Sequence, residues 1–163
     1  MKRLILMRHA KSGWSDLTAT DHERTLNDRG RRSAAAMGDW LRNNELTPDH
    51  VLCSDSARTC ETLTLLKLNE PTVSHLPSLY LAEPDVMAAA LQAQDQDCIL
   101  MVAHNPGSEM LAQLLTEAKG YPDFENFPTC ATLVVDFDIA DWRDLKYGTG
   151  RAVHFVVPRD LIE

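Results

Sequence analysis

The sequence predicts an α/β protein, a three-layer sandwich with a mostly parallel central sheet, helices on both faces and an antiparallel addition near the C-terminus. Three observations predict it. Short apolar runs alternate with stretches of helical spacing, the linear mark of βαβ units. The most apolar run, Cys98–Ala103, does not alternate with polar residues, as expected of a strand covered on both faces. The chain has 163 residues, 44% hydrophobic and 25% charged, which suits a single globular domain over residues 1–163.

Each element has its own signal. Leu4–Arg8 reads as the first strand, and a polar loop follows through Thr25. Helical spacing begins near Gly30 and puts Ala34, Met37 and Leu41 on one face. Val51–Ser54 is a second strand, followed at once by a helix from Ser56 to Leu68. Thr72–His75 is a short strand with a weak signal, and Pro84–Gln94 is a helix carrying Met87, Ala90 and Leu91. After Cys98–Ala103, Asn105 suits an N-cap, Pro106 the first helical turn and Gly120 the C-terminal stop. Met110, Leu111, Leu114 and Leu115 form the apolar face of that helix. Tyr121–Pro128 holds two prolines and reads as an irregular loop. Thr132–Phe137 and Ala152–Val157 are later strands, paired across a turn near Gly148-Thr149-Gly150.

Sixteen basic and twenty-four acidic residues give a net charge of −8. Such a field opposes nonspecific binding to nucleic acid or to an anionic membrane, so neither is expected as a partner. An anionic substrate would need a local cluster of basic groups. The apolar run Leu4–Met7 is too short for a signal-peptide core, and no run is long enough to span a bilayer. Cys53, Cys60, Cys98 and Cys130 show no C-x-x-C spacing and read as reduced structural thiols, so the expected compartment is the cytoplasm. No H-E-x-x-H, H-x-H or Cys/His spacing suggests a metal, and no glycine-rich phosphate loop suggests a nucleotide, so no cofactor is expected. His22, His50, His75 and His154 read as ordinary loop and strand residues. Asp136, Asp138, Asp141 and Asp144 read as a solvated acidic face.

Three segments place unusual polar groups just past a strand. They are Arg8-His9-Ala10-Lys11-Ser12, Ser54-Asp55-Ser56-Ala57-Arg58-Thr59 and His104-Asn105-Pro106-Gly107. In doubly wound sheets the crevice at the carboxyl ends of strands is where ligands bind. The three segments would bring two arginines, two histidines and two helix starts to one sheet edge. Arginine recognises phosphate oxygens bidentately, and helix N-termini favour anions.

Taken together, these segments resemble the histidine phosphatase superfamily. Arg8-His9-Ala10-Lys11-Ser12-Gly13-Trp14, Asp21-x-x-Arg24, Gly30-Arg31 and the short chain look like its small SixA-like phosphohistidine phosphatase branch. Ala10 stands where the motif more commonly has Gly, which argues against the mutase-type members. The resemblance implies a phosphoglycerate-mutase-like fold and a metal-independent phosphatase. His9 is then the nucleophile that becomes phosphorylated, with Arg8, Arg58 and His104 around the phosphoryl oxygens. Lys11, Ser12, Arg24 and Asn105 are candidate substrate-binding residues, and Trp14 either lines the entrance or packs. Many family members carry a carboxylic acid in the region of Leu79–Asp85, which makes Glu83 a candidate general acid. Glu83 and Asp85 also flank a helix start, where the dipole alone favours acids. The substrate the resemblance implies is phosphohistidine on a signalling protein. Two other readings stand beside it: a phosphomonoesterase for a sugar or nucleotide phosphate, and a phosphoprotein-binding module without catalysis.

Overall fold

A computed structural model describes residues 1–117 and 126–162. Its strands are β1 (Lys2–Arg8), β2 (His50–Ser54), β3 (Thr72–Leu76), β4 (Cys98–Ala103), β5 (Thr132–Phe137) and β6 (Arg151–Val156). Its helices are α1 (Asp28–Asn43), α2 (Ala57–Leu66), α3 (Pro84–Gln92) and α4 (Gly107–Leu115). They build one six-stranded sheet in the order β3-β2-β4-β1-β5-β6. The first four of these strands run parallel, β5 runs antiparallel to β1, and β6 runs antiparallel to β5. No helix among the described residues is long and apolar enough to cross a membrane.

Alternation along the central strands assigns side chains to two cores. Leu4 and Leu6 of β1, with Ile99 and Met101 of β4, pack on one face against Met87, Leu91, Leu111 and Leu115 of α3 and α4. Ile5 and Met7, with Leu100 and Val102, pack on the other against Ala34, Met37, Leu41 and Leu66 of α1 and α2. A strand apolar at every position therefore fills both layers, which is why Cys98–Ala103 lacks alternation. β3 is the edge strand and is mostly exposed or half-buried, in keeping with its weak apolar signal.

The helix boundaries follow their caps. Asn27 accepts from the Gly30 amide at 2.8 Å, so α1 starts two residues before Gly30. Ser56 caps α2, and Lys67 in the left-handed region stops it. α4 departs most from the sequence reading. Its helical residues begin at Gly107 rather than Pro106, and it ends at Leu115 because Thr116 is extended and bridges to Gly150. Met110 and Leu114 are 41% and 39% exposed, so its apolar face is narrower than the spacing suggests. Gly120 and the 121–125 part of the expected loop lie outside the described residues. Asp136 is also corrected: it is buried and accepts a two-point hydrogen bond from Arg3, at 2.6 and 2.8 Å. Asp138 and Asp144 are exposed as expected.

Gly30 couples the fold to the first loop. A Cβ at this position would lie 2.0 Å from the Lys11 carbonyl oxygen, which already accepts from the Asn27 amide. Gly30→Ala should therefore destabilise the protein by about 1–3 kcal/mol, the usual range for forced overpacking. Urea unfolding of the variant checks this, and an unchanged midpoint would refute the close approach.

Candidate active site

The carboxyl ends of β1, β2 and β4 deliver the principal residues. His9 follows β1, and its backbone is held on both sides: its amide donates to Ala103 at 3.0 Å, and its carbonyl accepts from Cys130 at 2.9 Å. The His9 Nδ1 lies 2.7 Å from the Ala10 carbonyl. A carbonyl only accepts, so Nδ1 carries the proton and Nε2 keeps the lone pair. Ala10 is tied to α2 through Thr62, whose Oγ1 accepts from the Ala10 amide at 3.0 Å and donates to the Arg58 carbonyl at 2.7 Å.

His104 follows β4, and its ring centroid is 5.3 Å from that of His9. Its Nε2 is 2.8 Å from Ser54 Oγ, at the end of β2. That hydroxyl accepts from the Ser56 amide at 3.4 Å and has its own proton to give to His104 Nε2. Nδ1 then carries the imidazole proton. It is buried and has no hydrogen-bond partner among the described residues, and the same holds for Arg8 Nε.

Both guanidiniums are anchored. Arg8 Nη1 donates to the Phe127 carbonyl at 3.2 Å, which also accepts from Asn105 Nδ2 at 2.9 Å. Arg58 is only 4% exposed and donates to the Asp21 carbonyl at 2.6 Å and to its carboxylate at 3.0 Å. The same carboxylate accepts from the Tyr80 hydroxyl. Hydrogen bonds from Tyr80, Arg58 and Arg24 hold Asp21 well below the usual carboxylate range. The Tyr80 ring stands edge-on to His104 at 5.3 Å and to His22 at 4.8 Å, and His22 reaches Asp55 at 2.9 Å.

The charge arrangement sets the state of the histidines. Burial pushes His9 down to about 4; Arg58, Arg8 and Arg24 add to this, and the Ala10 hydrogen bond opposes it. Burial pushes His104 down to about 3, reinforced by His9, Arg58 and Arg8 and opposed by Asp21. Both rings are therefore neutral at pH 7. Arg8 is also lowered by burial and by Arg58, with Glu109 opposing.

The structure thus brings Arg8, His9, Arg58 and His104 to one place. Ser12 and Arg24 form a rim linked at 2.7 Å, with Arg24 also on Asp21 at 3.0 Å and stacked over Trp14 at 3.3 Å. Trp14 stays 68% exposed. Asn105 is committed to Phe127 and, more weakly, to the Glu109 amide, so its side chain shapes the loop. Lys11 lies apart from the histidines, in a cleft of about 500 Å³ lined by Arg29, Pro128, Phe155 and Arg159. Glu83 is exposed just before α3, and its carboxylate has no hydrogen bond or ion pair among the described residues. Tyr80 and the Phe127 carbonyl are site components that sequence reasoning did not single out, and Asp21 and Ser54 stood in quoted motifs without an assigned role. One further grouping departs from the expectation of no metal-binding cluster: Cys53, Cys60 and His75 have their ligand atoms within 4.8 Å of one another.

Known proteins resemble this chain in sequence and in fold. The family model of the histidine phosphatase superfamily (branch 1) matches residues 4–80. An uncharacterised protein of Mycobacterium leprae is 35% identical over 164 residues, covering 94% of this chain and 100% of that one. A structure provisionally assigned as the phosphohistidine phosphatase SixA of Nakamurella multipartitia superposes with a TM-score of 0.88 at 28% identity, covering 96% of both chains. The protein histidine phosphatase SixA complexed with tungstate superposes with a TM-score of 0.81 at 25% identity, covering 98% of this chain and 99% of that one.

The depressed histidines make stability depend on pH. Between pH 6.5 and about 4 the unfolded chain binds protons that native His9 and His104 refuse. Their contribution is complete above pH 6.5 and is lost as pH falls through that window, at about 1.4 kcal/mol per pH unit for each ring. The urea midpoint should drop between about pH 7 and about pH 4.5, less steeply in His9→Gln. Ring NMR signals that titrate near 6.5 would contradict the burial effect.

Proposed function

The chain belongs to the histidine phosphatase superfamily, and we propose that it is a phosphatase that passes the phosphoryl group through His9, with phosphohistidine on another protein as its substrate. The observation that carries this reading is the His9 ring: Nδ1–H is tied to a carbonyl, which leaves Nε2 as the lone-pair nitrogen of a neutral ring in the field of Arg58, Arg8 and Arg24. A protonated imidazole would have no lone pair to attack with, so depression of the pKa well below neutrality keeps the nucleophile active.

Catalysis then runs in two displacements. His9 Nε2 attacks phosphorus, a P–N bond to His9 forms, and the bond to the leaving group breaks. The leaving nitrogen takes a proton and departs as a neutral imidazole. Water next attacks the phosphoryl group, the P–Nε2 bond breaks, and orthophosphate leaves with His9 restored. Arg8, Arg58 and the His104 Nδ1–H donate to the equatorial oxygens and hold the charge that spreads over them. The unpartnered Arg8 Nε and His104 Nδ1 are donors suited to that task. Glu83 is the proposed acid for oxygen leaving groups, which need more help than an imidazole nitrogen.

The substrate class is supported by the likeness to SixA proteins over nearly the whole chain and by the bound tungstate in one of them, an oxyanion shaped like phosphate. The exposed Trp14 beside Arg24 supports it too, since a histidine displayed on a folded partner needs an accessible rim. The proposed partner is therefore a phosphorylated protein.

His9→Ala should lower turnover of p-nitrophenyl phosphate by at least ~10³-fold, and rapid alkaline quenching of the native enzyme should trap phosphate on His9. Wild-type turnover in that variant would end the assignment. A phosphohistidine protein should exceed p-nitrophenyl phosphate and phosphorylated metabolites by tenfold or more in kcat/KM, which corresponds to about 1.4 kcal/mol. Preference for a sugar or nucleotide phosphate would move the substrate to a small molecule. Glu83→Gln should slow alkyl phosphates much more than aryl phosphates, and equal slowing would remove its role as acid.

A further inference from the structure

Cys53 and Ser54 are neighbours at the end of β2 and serve opposite faces of the sheet. Ser54 reaches His104, whereas Cys53 belongs to the core beneath α1 and α2. On the Cys53 side, parallel pairing sets His75 of the edge strand β3 directly beside it. Residues in register on adjacent strands share a face, so both side chains project toward α2. Cys60 comes from α2 and completes the group, its thiol 3.7 Å from the Ser54 carbonyl.

The two Sγ atoms and one ring nitrogen of His75 lie within 4.8 Å of one another. Around a tetrahedral ion with Zn–S of about 2.3 Å and Zn–N of about 2.0 Å, such atoms sit roughly 3.5–3.8 Å apart. The 4.8 Å bound exceeds that spacing by about 1 Å. Cys53 is fully buried, Cys60 is half-buried and His75 is exposed at the sheet edge, which gives an inner wall of sulfur and an entry path from solvent. Both cysteines are free. Thiolate and imidazole together select soft and borderline cations, zinc or monovalent copper, over calcium or magnesium.

We propose that Cys53, Cys60 and His75 form a metal site of the Cys₂His type for such a thiophilic cation. The cation replaces the two thiol protons, which pass to solvent, and the two thiolates balance the charge of a divalent ion. Three protein ligands leave one coordination position for water or another small donor. The site fastens β2, β3 and α2 together. It uses none of Arg8, His9, Arg58 or His104, so it is structural or regulatory with respect to the phosphatase centre.

The test uses the full chain, stripped with a chelator, kept reduced and titrated with Co²⁺ as the probe. One equivalent should give a sulfur-to-cobalt charge-transfer band with the visible bands of tetrahedral cobalt, and Zn²⁺ should bleach both. One equivalent of Zn²⁺ should also raise Tm by several degrees, because it binds the native state. Cys60→Ser and His75→Ala, at the more accessible positions, should each weaken binding at least 100-fold while circular dichroism shows the native fold and p-nitrophenyl phosphate turnover persists. His22→Ala and His9→Ala should leave the charge-transfer band intact. Absence of the band, its survival in Cys60→Ser or His75→Ala, or conversion of Cys53 and Cys60 to a disulfide in place of binding would each overturn the site.

Discussion

Two buried imidazoles 5.3 Å apart, near the guanidiniums of Arg8 and Arg58, favour the uncharged state of both rings. A further positive charge there would be desolvated and repelled by the arginines, with Asp21 opposing this only in part for His104. Burial, reinforced by the guanidiniums, leaves His9 a neutral imidazole without a carboxylate partner of the Ser-His-Asp kind, which is the state the proposed nucleophile requires. The use of Asp21 agrees with that state. That carboxylate is spent on Arg58, Arg24 and Tyr80, so it fixes the guanidinium without protonating or neutralising the histidines.

Net charge and site charge are separate properties here. The surface carries the acidic excess of the −8 chain, while the sheet edge collects Arg8, held by a backbone carbonyl, and Arg58, held by a backbone carbonyl and by the Asp21 carboxylate. A carbonyl orients a guanidinium and leaves its full charge available to an incoming anion. A carboxylate in the same place would cancel part of it. The Phe127 carbonyl does this for Arg8, and the Asp21 carbonyl shares the work for Arg58.

How much of this could be seen in the sequence depends on the distance over which each signal acts. β1, β4 and β5 were legible because burial on both faces leaves an unbroken apolar run. Arg8, His9, Arg58 and His104 were legible because each sits beside a strand end that the local pattern marks. Asp21 and Tyr80 are 59 residues apart, and nothing local announces that one will hold the other beside Arg58. The Phe127 carbonyl is backbone, and side-chain identity does not encode its use. Asp136 looked like one more surface acid until the β1–β5 register set Arg3 beside it. Met110 and Leu114 misled because helical periodicity gives a face and not what covers it. The cluster of Cys53, Cys60 and His75 depends on β2–β3 register and helix packing, neither of which linear spacing expresses.

Pairing of β1 on both sides has one more consequence. The amide and carbonyl of His9 are clamped by β4 and by the turn before β5, so His9 takes its position from the register of three strands. The rim, by contrast, hangs on the loop between Lys11 and Asn27, fastened chiefly by Arg24 and by the contact at Gly30. Centre and rim meet at Asp21, which belongs to that loop and holds Arg58. A loop exchanged there, in evolution or by design, would change the surface that borders His9 and still hold Arg58 only if it kept a residue in the place of Asp21.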